Sequence, residues 1–180
     1  SKTKYFLSEI QISEIFQKSK SGKIDSFYAM GAGEFNSVYC VKCNGKEYVL
    51  KIAPHINKKV LTYEKDMLRI ELKWYERIGN NTSIKIPEIY YFDFSKSIVD
   101  ADYFIMEKLN GAQMDKFNAD FSQKDSPTSK LAEMAAQIHR IKNDKYGYEQ
   151  NGLFEDWYQA IKAMTQNLIN DAKSAGHKSK

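Results

Sequence analysis

The chain has 180 residues and a formal net charge of +4, set by 27 Lys and Arg against 23 Asp and Glu. This length suits one large domain or two small lobes, and the scattered basic residues lack the dense stripe that a nucleic-acid interface needs, so no nucleic-acid partner is expected. No apolar run approaches the ~20 residues of a membrane helix, no secretory segment opens the chain, and Cys40 and Cys43 form no disulfide framework, so the expected setting is cytoplasmic with no membrane partner.

In chain order, a first helix is expected from Ser8 to Lys18, with Ser8 as N-cap and Ile10, Ile12, Ile15 and Phe16 on its apolar side. Lys23 to Met30 reads as a strand leading into the turn Gly31-Ala32-Gly33. EFNSVYCVKC and KEYVLKIA follow as two strands joined at Asn44-Gly45, a pair that accepts the positive φ of a type I′ hairpin turn. Leu61 to Ile78 has helical periodicity, with Met67, Leu68, Glu71, Trp74, Tyr75 and Ile78 on one face, and Gly79-Asn80-Asn81 is expected to end it. Two further strands, Glu88 to Phe94 and Ala101 to Leu109, come after Pro87. Beyond Asn110 only helices are expected, one starting at Asp125-Ser126-Pro127 and one over Leu153 to Ala175. The order predicts an α+β lobe over 1–109, with a five-stranded antiparallel sheet and a packed helix, and the start of a helical lobe over 110–180.

Two residues in this pattern conflict with their surroundings. Lys51 lies in the middle of an apolar strand, where a lysine needs an anion. Glu71 lies within the apolar stripe of the next helix, where a carboxylate needs a cation, and a helix after the third strand packs back across the sheet. Glu71 is therefore the expected partner of Lys51, with Glu64 the alternative. The bare backbone of Gly31 and Gly33 could approach phosphate, and Asn36 tolerates the left-handed conformation where a third glycine could stand. Val38, Val49 and Met106 would form apolar walls, and the strand end at Glu107 to Leu109 falls where the two lobes join, a favoured place for a cofactor. The CxxC spacing of Cys40 and Cys43 reads as two free thiols, since no second ligand pair lies nearby. His139 reads as structural, and Tyr90, Tyr91, Phe92 and Phe94 read as sheet packing.

In this order GAGEFNSVY, VLKIA, RIELKWYERI, IPEIYYFD and YFIMEKLNG resemble the N-terminal lobe of a protein-kinase-like phosphotransferase, and more narrowly the aminoglycoside phosphotransferase family. LAEMAAQIHRI and YGYEQNGLFEDWYQAI resemble the start of that family's C-terminal lobe. The resemblance implies a cofactor, ATP or GTP with Mg2+, and a small hydroxylated acceptor such as an aminoglycoside. Backbone amides from Gly31 to Ser37 would then cover the triphosphate, Lys51 would hold its α- and β-phosphates while oriented by Glu71, and main-chain groups at Glu107 and Leu109 would read the purine.

The family's His-x-Asp-x-x-x-x-Asn loop and its second Asp for magnesium are not found, as none of His55, His139 or His177 starts such a motif. The expectation is a truncated piece of a longer kinase, inactive alone, with its catalytic Asp and metal ligands beyond Lys180. Its C-terminal helices are expected to expose apolar stripes open to self-association. The competing readings are a non-catalytic nucleotide-binding or regulatory module on the same fold, and a nucleic-acid-binding protein whose affinity falls steeply with salt.

Overall fold

The computed structural model describes residues 4–31, 35–111 and 126–176. The N-terminal part is a single antiparallel sheet with a helix on each face. Strands β1 (Ile24–Ala29), β2 (Ser37–Cys43), β3 (Lys46–Ile52), β4 (Ile89–Asp93) and β5 (Tyr103–Glu107) lie in the order β1-β2-β3-β5-β4. The expected α+β class and five-stranded sheet are therefore present.

Helix α1 (Glu9–Lys18) begins on a reciprocal capping box: Gln11 N–H donates to Ser8 Oγ at 3.3 Å, and Ser8 N–H donates to Gln11 Oε1 at 3.0 Å. Its Ile12, Ile15 and Phe16 are fully buried against Tyr39, Val41, Leu50, Ile52, Tyr103 and Ile105, whereas Ile10, expected on the same side, is exposed. Strand alternation places those six sheet residues on one face, and burying them with α1 makes the main core. Lys18, in the last turn, pins the helix to β4 through Asp93 Oδ2 at 2.5 Å, and Tyr103 OH donates to the same oxygen at 3.0 Å. The hairpin turn is as expected, with φ of 50° at Asn44 and 76° at Gly45.

The second face carries Val38, Val49, Lys51, Phe104 and Met106, because Lys51 pairs with both Val38 and Phe104 while Val49 pairs with Met106. Helix α2 (Met67–Asn81) covers this face. It starts six residues later than the periodicity predicts. Thr62–Glu64 forms a 3₁₀ turn, and Asp66 takes a left-handed conformation (φ 53°) that separates this turn from the helix. The turn is held from far along the chain, by Asp171, which accepts from Thr62 N–H and Thr62 Oγ1 at 2.8 Å each. The helix also passes through Gly79. A Cβ there would meet Ile86 Cδ1 at 2.8 Å, so this glycine provides room for a neighbour rather than a stop.

Both later strands are shorter than expected, and a register irregularity between Ile89 and Tyr91 lets the adjacent Tyr90 and Tyr91 both pack on the α1 core. Helix α3 (Pro127–His139) is capped by Ser126, with Pro127 in its first turn. The segment from 153 to 156 is not helical: Phe154 bridges to Tyr146, and α4 (Trp157–Ser174) starts on Asp156. Gln150 and Gln137 fasten the C-terminal part to the backbone of Tyr63 and Ser83. Leu131 and Met134 on α3, and Trp157, Tyr158, Ile161, Leu168 and Ile169 on α4, are exposed.

Candidate active site

Lys51 extends from the centre of β3 onto the α2 face, where its Nζ lies 2.6 Å from both Glu71 Oε1 and Glu71 Oε2. Both side chains are largely shielded from solvent. Glu64 takes no part, since its carboxylate accepts from Leu61 N–H at 2.7 Å within its own turn. An ammonium has three protons, and the carboxylate engages two of them. Among the described residues no acceptor takes the third.

Glu71 is itself held by Tyr75, one helical turn on, whose hydroxyl donates to Oε1 at 3.0 Å. The Tyr75 ring rests edge-on against Phe104, the cross-strand neighbour of Lys51. Burial, with Glu71's charge beside it, raises the Tyr75 phenol above its ordinary value, so it stays a donor at neutral pH. The sequence placed Tyr75 on the apolar stripe but not its hydroxyl on Glu71. The i, i+4 spacing of a Glu and a Tyr was the available signal.

The same helix is anchored ahead of Glu71. Arg69 donates to Asp102 through Nε at 2.6 Å and Nη2 at 3.1 Å, and its guanidinium stacks on Phe94 at 4.7 Å. Asp102 is buried at the start of β5, so this fork ties α2 to the sheet. No sequence periodicity marked this pair.

The other expected site residues differ in where they lie. Val38, Val49 and Met106 share the Lys51 face and give it an apolar floor. Gly31 lies two residues past β1, with none of the described residues within 4 Å of where a side chain would begin, whereas Gly33 lies outside the described residues. Asn36 Oδ1 is buried with no hydrogen-bond partner among the described residues. Ser37 points the other way: its Oγ accepts Tyr5 N–H at 2.8 Å on the core side, so only its backbone could contribute to this face. Glu107 N–H donates to Glu88 O at 2.8 Å, and Leu109 lies half-exposed past the strand.

The site therefore offers a fixed cation over an apolar floor. This combination fits a flat apolar ring system joined to an anionic group. No group of three or more His, Cys, Asp or Glu side chains gathers among the described residues. A separate cavity of about 720 Å3 opens between Ala53–Leu61, the start of α2 and the end of α4, and neither Lys51 nor Glu71 lines it. Cys40 and Cys43 are both free thiols, and burial pushes Cys43 up.

The fold is similar to that of a solved structure assigned as a fructosamine-3-kinase, from Haemophilus somnus 129PT, with a TM-score of 0.55 and 21% identity over 83% of this chain and 49% of that one. A second solved structure, assigned as an aminoglycoside phosphotransferase from Ralstonia eutropha JMP134, has a TM-score of 0.43 and 13% identity over 58% of this chain and 29% of that one. The chain thus spans less than half the length of either. No curated protein matches it. The fold and family are those of kinase-like small-molecule kinases, but the narrower expectation of the aminoglycoside phosphotransferase family gives way to another member. A family model described as fructosamine kinase matches residues 8–166, which include Lys51, Glu71 and both anchors of α2, and the chain belongs to that family.

Proposed function

We propose that this chain is the nucleotide-binding portion of a phosphotransferase that moves the γ-phosphoryl group of ATP or GTP to a hydroxyl of a small polar molecule. The observation that carries this reading is Lys51 Nζ at 2.6 Å from both Glu71 oxygens, on the same sheet face as Val38, Val49 and Met106. Val38, Val49 and Met106 would hold the purine, with the Glu107 carbonyl and the backbone at Leu109 meeting its edge. The backbone around Gly31, Gly33, Asn36 and Ser37 would lie over the phosphates. Lys51, oriented by Glu71, would bind the α- and β-phosphates with its remaining N–H and neutralise charge. The Asn36 acceptor suits a hydroxyl or a metal-bound water, both of which are donors.

Mg2+ would supply Lewis-acid stabilisation of the triphosphate when bound. We place its ligands and the catalytic Asp outside this chain, with 1–109 as the nucleotide lobe and 110–180 as the first part of the acceptor lobe. The acceptor we infer is a fructosamine hydroxyl, ahead of an aminoglycoside, on the strength of the family match. The test is calorimetric titration of this chain with magnesium–ATP and magnesium–GTP, alongside a phosphoryl-transfer assay with a fructosamine and an aminoglycoside. Nucleotide binding without transfer is expected. No measurable binding of either nucleotide would overturn the reading.

A further inference from the structure

The segment before α1 lies along the back of the strand that leaves the glycine turn. Tyr5 N–H donates to Ser37 Oγ at 2.8 Å, and Leu7 N–H donates to Tyr39 OH at 2.8 Å. Alternate residues of the arm thus meet alternate residues of β2. Side-chain hydroxyls here act as the acceptors that a neighbouring strand's carbonyls would provide. Ser37, Tyr39 and Leu7 are all buried, so neither hydroxyl has ready access to water in place of its backbone partner.

The same arm reaches both ends of the hairpin around the turn. Lys4 Nζ donates to Gly31 O at 3.2 Å, where β1 ends. The Tyr5 ring packs edge-on to His55, 5.0 Å between centroids, just after β3 ends. Met30 N–H donates to Val38 O at 2.7 Å and closes the strand pair between these contacts. Four residues therefore hold the exit of β1, the start of β2 and the exit of β3, the three points from which the nucleotide-facing backbone and Lys51 are positioned. The Ser37 hydroxyl faces away from Lys51, so this side chain can influence a ligand only through this support.

We propose that the Lys4–Leu7 arm is a strap that preorganises the backbone at Gly31 and at the start of β2 from behind, and that Ser37 and Tyr39 are positioning residues acting through it. The inference rests on the reading that the Lys51 face binds nucleotide. A ligand that needs the backbone at Gly31 and Asn36 in one arrangement binds more weakly when that arrangement is only partly populated. The strap raises that population without touching the ligand.

The test compares wild type with Ser37→Ala and Tyr39→Phe, using Ser26→Ala on the exposed edge strand as a control. Two readouts are taken, the Kd for magnesium–ATP and amide exchange of the peptides covering residues 30–40. Loss of one supporting hydrogen bond is expected to raise Kd by about fivefold in either variant. Exchange across 35–39 should accelerate in both, with the control matching wild type. Unchanged Kd and unchanged local exchange in both variants, accompanied only by a lower melting temperature, would overturn the strap. If wild type binds no nucleotide, the functional reading fails by itself. The exchange comparison still decides the strap in that case, faster exchange in the two variants supporting it and identical exchange overturning it.

Discussion

Tyr75 donates its hydroxyl to the Glu71 oxygen that also receives Lys51, so one carboxylate oxygen joins a strand lysine to a helix tyrosine. Glu71 is thereby fixed from both elements at once. Tyr75→Phe keeps the ring against Phe104 and removes only this hydrogen bond. Stability should fall by about 1 kcal/mol, read from urea unfolding. Nucleotide affinity should fall with it, because Glu71 loses the group that fixes its rotamer. Unchanged affinity would mean that Lys51 alone positions the carboxylate.

Lys51→Ala should reduce nucleotide-dependent thermal stabilisation, with affinity weaker by at least about tenfold, as befits loss of a charge-assisted contact to phosphate. Lys58→Ala is the matched control, since Lys58 lines the separate cavity. Its thermal shift with nucleotide should equal that of wild type. Equal losses in the two variants would remove Lys51 from the site.

The pairing at Lys51 was readable because two local rules failed together: a cation in an apolar strand and an anion in an apolar helical stripe. Each makes sense only if the other faces it, and topology left few candidates. The Asn44-Gly45 turn was readable for a simpler reason, as both residues tolerate the conformation that the turn requires. The start of α2 was not readable, because Thr62 is held by Asp171 and residues so far apart in sequence leave no periodic trace. Gly79 misled for a related reason, since its missing side chain serves Ile86 rather than a helix end. Ser37 was assigned to the nucleotide side from its place in the motif, whereas its hydroxyl serves the N-terminal arm.

Arg69 and Asp102 should be intolerant of apparently mild change. Arg69→Lys keeps the charge but loses the two-pronged geometry on a buried carboxylate. A loss of roughly 2 kcal/mol in unfolding free energy is expected. Because this fork anchors α2 two residues before Glu71, nucleotide affinity should fall as well. A variant of full stability with wild-type binding would show that α2 is held by its apolar face alone.

Asp93 gives the fold a sensitivity to acid. Burial alone would raise its pKa, but hydrogen bonds from Lys18, Ser95 and Tyr103 outweigh burial and hold the carboxyl well below its ordinary value. A depressed folded pKa means that the unfolded chain binds the proton more readily. The stabilisation is therefore complete above the unfolded value of about 3.9 and is lost as pH falls from there toward the folded pKa. Asp93→Asn should cost about 2 kcal/mol at neutral pH and should flatten the acid limb of a stability–pH curve. An acid limb as steep as that of wild type would place the responsible carboxylate elsewhere.

The C-terminal helices present a surface for the last prediction. On α4 the inward positions are Ala160, Ala163, Met164, Asn167 and Asp171, while Ile161 and Leu168, seven residues apart, stay exposed beside them with Trp157. Leu131 and Met134 are likewise exposed on α3. Apolar side chains repeating at helical spacing in water favour burial against another apolar surface. We therefore expect this chain to self-associate as its concentration rises. Sedimentation equilibrium should show mass increasing with concentration, and Ile161→Glu combined with Leu168→Glu should return it to a monomer. Both residues lie away from the Lys51 face, so magnesium–ATP affinity should stay within about twofold of wild type in that double variant. A wild-type chain that stays monomeric at millimolar concentration would refute the association, and a double variant that still associates would move it off α4.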